Sequence, residues 1–142
     1  MTQTVSVTRQ IRRSADEVGL FITDMHELVP KVSTFKRCEF IGDTSDGQIW
    51  EIFMQSGTIF LGGRVLASTQ PRRLVWHSLR GTRHSFEALV EDDGGSSHLR
   101  LSLTFSLAGF GTAWFTELIG RGIASRTLEA AVEEIRHSLE YG

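Results

Sequence analysis

Few side chains in this 142-residue chain can move a proton or hold a carbonyl, and they are thinly spread. His77 and His84 are the candidate groups for transferring protons near neutral pH. His84 shares parity with Phe86 and Ala88, so it is expected to face inward, whereas His77 alternates with Val75 and Leu79 and is expected outside. A histidine on an apolar face is more often satisfied by structure than catalytic; if His84 is functional, it hydrogen-bonds a ligand carbonyl or does general acid/base work on it. Arg64 is the cation that can orient a carbonyl, provided its strand turns it inward. A register shift of one residue exchanges the two faces, so Arg64 is inside in one register and an exposed strand residue in the other.

Other chemistries find little support. His26 and Glu27 do not have metal-ligand spacing, and the single cysteine, Cys38, excludes a thiolate cluster and an internal disulfide. No metal or cofactor is expected. The segment from 111 to 120 has no phosphate-loop spacing, and Gly109-Phe110-Gly111 reads as a turn into the helix. Arg72, Arg73, Arg80 and Arg83 form a modest basic patch on loops, either a solvated rim or a means of steering an anionic headgroup.

These residues must be positioned by an alternating chain. Val5, Val7 and Ile11 give a first strand, and Ser14 with Glu17 makes a capping box for a short helix over 15–23. A second short helix over 25–28 is expected to stop before Pro30. Strand patterns follow over 32–42, 48–55, 58–69, 74–80, 83–91 and 98–107, separated by turns such as Asp43–Gly47 and Asp92–Ser97. The last of these strands is the cleanest, with Leu99, Leu101, Leu103, Phe105 and Leu107 alternating with polar residues. From Phe110 to Tyr141 apolar residues recur at threes and fours, predicting one long helix, with Gly120 and Gly122 in its middle either for close packing or to leave room for a bound molecule. The order gives an α+β class with a mainly antiparallel sheet and a single domain over 1–142.

Composition is ordinary for a globular protein, at 40% hydrophobic and 23% charged with a net charge of −2. Nothing favours nucleic acid as a partner. The first residues lack a continuous apolar core and no run reaches a membrane span, so the expectation is a cytoplasmic protein without integral membrane association, as monomer or homodimer.

The element order, the phrase GRVLASTQPRRLVWHS (63–78), and HELVP, DGQIWEIF, GTRHSFE and AWFT with SRT in their places together resemble the SRPBCC superfamily of START-like, helix-grip proteins, nearest its polyketide cyclase/dehydrase branch. The resemblance implies a curved seven-stranded sheet gripping the long helix around a mostly apolar cavity that opens near the short helices. Combined with the strand parity, it assigns Trp50, Ile52, Met54, Ile59, Leu61, Val65, Trp76, His84, Phe86, Ala88, Leu101, Leu103 and Phe105 to the cavity wall, Leu118 and Gly122 to its helical side, and Val29 and Phe35 to its mouth.

Against the cyclase pattern, the strand expected to supply an arginine presents Leu61, Gly63, Val65 and Ala67 inward, Phe35 stands where such cyclases carry a tyrosine, and Tyr141 lies far away. The leading expectation is therefore binding of a hydrophobic small molecule, such as a lipid, a polyketide-like aromatic or an isoprenoid quinone. The alternatives are cyclisation or dehydration of a polyketide-like chain using His84 or Arg64, and a chaperone-like protein-binding module.

Overall fold

Hydrophobic alternation with period two, broken by glycine-rich turns, folds this chain into a meander. A computed structural model describes residues 2–56, 59–106 and 122–142. The elements run β1 (Thr2–Ile11), α1 (Ala15–Ile22), α2 (Met25–Lys31), β2 (Phe35–Thr44), β3 (Gly47–Ser56), β4 (Ile59–Gln70), β5 (Arg73–Gly81), β6 (His84–Asp93), β7 (Ser96–Ser106) and α3 (Ile123–Tyr141). The strands form one sheet in the order β1-β7-β6-β5-β4-β3-β2, every neighbouring pair antiparallel. Each strand from β3 to β7 thus pairs with its predecessor in the chain, and β1 closes onto β7. This is the expected α+β helix-grip architecture.

Curvature has a local cause. Gly62 and Gly63 both have φ near +143°, and a Cβ at Gly62 would come within 2.1 Å of the Ile52 carbonyl oxygen. Opposite them, Gly81 pairs with Gly63 next to a register shift between Arg64 and Val65. Glycines at a bulge let two backbones approach and bend the sheet.

Helix α1 is capped as its sequence requires: the Glu17 N–H donates to Ser14 Oγ at 3.2 Å. Two helical expectations need correction. Helix α2 does not stop before Pro30 but runs through it to Lys31. Proline loses one hydrogen bond there, in the final turn, and the exit tightens with the Val32 N–H donating to the Val29 carbonyl. The long helix is described from Ile123, and Gly122, expected in its middle, is its N-cap with φ +66°, a left-handed conformation that cannot continue an α-helix. Residues 107–121, with Trp114, Leu118 and Gly120, lie outside the described residues.

The 19 residues of α3 extend about 28 Å at 1.5 Å per residue. Its buried stripe, Ala124, Leu128, Ala131, Val132 and Ile135, packs on β1 with contacts to β7, β3 and α2. Burying each of its larger apolar side chains contributes about 1.5–3 kcal/mol. Its polar side is tied down as well: Glu133 pairs with Arg9 at 3.3 Å, and Glu134 accepts from both the backbone N–H and the hydroxyl of Ser33 in the α2–β2 connection. Among the described residues, no helix is long and apolar enough to cross a membrane.

Candidate functional site on the concave face of the sheet

Strand alternation turns one continuous apolar wall toward α3. Trp50, Ile52 and Met54 of β3, Val65 and Ala67 of β4, Leu74 and Trp76 of β5, Phe86 and Ala88 of β6, and Leu101, Leu103 and Phe105 of β7 are all buried. Ile59 and Leu61 are placed on β4 by their backbones alone, and Leu118 lies outside the described residues. Val29 and Phe35 are buried beside the end of α2. Gly122 stands at the start of α3 and not within a helical wall.

Within that wall, aromatic rings gather where β2 begins. Trp76 and Phe86 stack with centroids 4.3 Å apart, and Phe35 meets them edge-on at 5.4 and 6.0 Å. Such pairs contribute about 0.5–1.5 kcal/mol beyond the area they bury. A second group forms at the other side of α2, where His26 lies against both Phe40 and Trp50, and the Trp50 indole donates to Gln48 Oε1 at 3.0 Å.

His84 is the polar member of the first group, and its surroundings fix its chemistry. Nδ1 lies 2.8 Å from the Thr82 carbonyl, which can only accept, so Nδ1 carries the proton. Nε2 is then the acceptor for the Trp76 indole N–H at 3.2 Å. Burial lowers the pKa of His84, only partly offset by its bond to Thr82, so the ring is neutral at physiological pH. With both nitrogens engaged, it orients the Trp76 ring against Phe86. That is the structurally satisfied arrangement; acid/base work would require one of these bonds to open.

Arg64 lies on the opposite face of β4. Its guanidinium pairs with Glu51 of β3 at 3.4 Å, and its side chain is 38% exposed. The bulge at Arg64/Val65 leaves Val65 and Ala67 inside, so the register that would aim Arg64 at an interior carbonyl is not the one adopted. His77 is exposed, as its parity indicates. Two arginines of the expected basic patch are paired with acids: Arg72 with Asp16 at 2.8 Å and Arg73 with Glu87 at 2.8 Å. Among the described residues, no cluster of His, Cys, Asp and Glu is arranged to hold a metal.

Packing along the wall is uneven. Trp76, Val65 and Leu101 expose no area at all, so no water-sized space touches them. Small accessible areas remain at Val29 (9%), Phe35 and Thr34 (8% each), His84 (6%) and Leu103 (5%). Phe35, His84 and Leu103 belong to the same end of the sheet, where β2 and β6 begin and β7 finishes. Thr34 also borders an open cavity of about 470 Å³ between the α2–β2 connection and the first two turns of α3. Sequence alternation located the wall. Neither the Trp76–His84–Thr82 chain nor this opening carried a sequence signal, because each joins residues from different elements.

No protein-family model matches the chain, and no curated protein matches it either. Solved structures match it over nearly its whole length. It is similar to the ZhuI aromatase/cyclase from Streptomyces sp. R1128 (15% identity, TM-score 0.80, 99% of this chain and 94% of that one) and to TTHA0849 from Thermus thermophilus (13%, TM-score 0.80, 95% of each). It is also similar to a START superfamily protein from Mycobacterium smegmatis (14%, TM-score 0.76, 96% and 97%). The fold is therefore the START-like, helix-grip one. At these identities the likeness is one of fold, and function has to be argued from the site.

Proposed function

We propose that this protein binds a hydrophobic small molecule between the concave face of its sheet and α3, entering beside α2 and the start of β2. The observation that carries the reading is the continuous apolar wall ending in the Phe35–Trp76–Phe86 cluster, with His84 as its one described polar ring. Binding sites for such ligands are mostly apolar with a few placed polar groups. In this reading the packed section around Trp76, Val65 and Leu101 is the floor, and Val29, Phe35 and Leu103, buried but each keeping a little exposed area, line the way in. Flat aromatic compounds, isoprenoid quinones and acyl chains all suit a slot lined by aromatic and branched aliphatic side chains. His84 contributes by holding Trp76, and a ligand carbonyl could compete for the Trp76 indole N–H.

Nothing in the surroundings of Arg64 favours cyclisation or dehydration, since its guanidinium is engaged by Glu51 on the outer face. Trp50 and Trp76 make the test direct. Titration with fatty acids, quinones and aromatic polyketides is expected to give a saturable change in tryptophan emission with at least one class. Absence of a saturable response to all three would refute the reading.

A further inference from the structure

The two ends of the sheet differ in how their charges are used. At the end where β2 and β6 begin and β5 finishes, Lys36, Arg37, Arg80 and Arg83 are all exposed. Among the described residues, none of these four side chains has an ion pair or a hydrogen bond. Register puts them in one zone: Lys36 pairs with Phe53, Phe53 with Gly62, and the Thr82 N–H beside Arg83 donates to the Gly62 carbonyl at 3.0 Å. With neighbouring strands about 4.8 Å apart, the cations of β2 and β5 are separated by about 14 Å. The strand and turn residues of this end, 2–4, 35–37, 53–56, 59–63, 79–85 and 104–106, include no aspartate or glutamate. Glu51 lies further in and is paired with Arg64, and Glu134, which reaches this end from α3, is engaged by Ser33. At the opposite end the arginines are matched: Arg12 with Glu140, Arg13 with Glu17, Arg72 with Asp16 and Arg73 with Glu87. A chain of net charge −2 therefore carries a concentrated positive potential at one end.

An apolar side chain stands among these cations. Arg80 pairs with Arg64 and Ser78 with Val65, so Leu79 is the extra residue of a bulge, and it is 51% exposed. A single exposed leucine is ordinary on a protein surface. One flanked by unpaired arginines combines the two contacts that a bilayer offers, anionic headgroups and the acyl boundary beneath them. Phe35, His84 and Leu103, which keep a little exposed area, belong to the same end of the sheet.

We propose that this end of the sheet docks peripherally on an anionic lipid bilayer, with Lys36, Arg37, Arg80 and Arg83 against the headgroups and Leu79 entering beneath them. The surface is argued from charge and exposure. The hydrophobic-ligand reading gives it a use, since a ligand leaving the bilayer would enter beside Phe35 without crossing water. A nucleic acid or an acidic protein would meet the cations but would leave Leu79 without a role.

Cosedimentation with vesicles tests the docking. The wild-type chain is expected to partition onto phosphatidylcholine vesicles containing phosphatidylglycerol and not onto phosphatidylcholine alone, and to be released as salt rises. A cation close to an anionic surface changes partition about fivefold, so Arg80→Gln/Arg83→Gln should lower it about twentyfold, and Lys36→Gln/Arg37→Gln by a similar factor. All four positions are exposed, and either double variant serves if the other does not fold. Leu79→Ser keeps every cation; it should weaken vesicle binding while leaving the response to a single-stranded oligonucleotide as in the wild type. Equal partition onto neutral and anionic vesicles, or none onto either, would overturn the proposal, as would anionic partition undiminished in both double variants. An oligonucleotide bound as tightly as vesicles, with Leu79→Ser without effect on either, would make this a polyanion surface and exclude the bilayer. Each of these outcomes leaves the tryptophan titration with free ligands to decide the hydrophobic-ligand reading separately.

Discussion

The inner and outer faces of β5, β6 and β7 share the same backbone and differ in almost every other respect. Inside, Trp76, Phe86, Leu101, Leu103 and Phe105 interlock with hardly any exposed area. Outside, the same strands present Arg73, Ser85, Glu87, Arg100, Ser102 and Thr104. There Glu87 pairs with Arg73 at 2.8 Å and Arg100 at 3.4 Å, while Ser102 and Thr104 meet Ser6 and Thr4 of β1 at 2.8 and 2.9 Å. One face is close-packed apolar matter, where a lost methylene leaves a void. On the other, water replaces whatever bond is removed. Stability therefore concentrates on the inner face, where the proposed ligand site also lies, and this makes the two difficult to separate by mutation alone.

Adjacent residues on β6 give the sharpest contrast. Phe86→Ala is expected to cost about 3–5 kcal/mol in urea unfolding, from lost transfer energy plus the cavity left against Trp76 and Phe35. Glu87→Ala, one residue on, should cost no more than about 1 kcal/mol, the range of exposed ion pairs. Comparable losses at the two positions would dissolve the distinction.

A middle-sized effect belongs to the inner polar group. His84→Leu leaves the Thr82 carbonyl and the Trp76 indole without partners, costing about 1–3 kcal/mol for each that stays buried. The same residue makes stability depend on pH. Because burial lowers its pKa in the fold, the unfolded chain binds a proton more readily than the folded one. The contribution of neutral His84 is thus complete above the ordinary histidine value of 6.5 and is lost as pH falls from there through the lowered folded value. Unfolding free energies measured between pH 8 and 5 should drop toward acid more steeply in the wild type than in His84→Leu. Parallel curves would show that the ring is not held neutral by its surroundings.

The smallest effect lies at the edge strand β2, which belongs fully to neither face. Burial pushes the Cys38 thiol up to about 11, against a backbone bond from Phe53 that favours the thiolate. At pH 8 iodoacetamide should modify it far more slowly in the folded chain than in urea, with no change in stability expected from the thiol itself. Rapid modification of the folded protein would mean that β2 opens readily from the sheet.

Much of this was legible beforehand, and for a local reason. The run from Leu99 to Phe105 alternates without exception, so the parity of one residue fixes the side of all the others. Ser14 and Glu17 cap a helix from positions three apart, and turns such as Asp92–Ser97 announce themselves by composition. The START-like order of elements followed from these pieces. Less legible were features in which a local preference met a packed surrounding. Pro30 sits inside α2 because the missing bond falls in a final turn already tightened at Val29 and Val32. Gly122 caps the start of α3 instead of lying within a helix, since periodicity counts apolar residues and does not register a positive φ.

The sequence by itself determined which residues are apolar, which share a face and where the chain turns, because these depend on neighbours within a few positions. Only the tertiary structure decided that Arg64 answers Glu51, that His84 accepts from Trp76 while donating to Thr82, and that Glu134 draws Ser33 onto α3 beside Lys36 and Arg126. Those assignments depend on how strands register against one another and on how a helix settles across them. A hydrogen bond needs its partners within about 3 Å, whereas the code for which face a residue takes is satisfied anywhere along the strand.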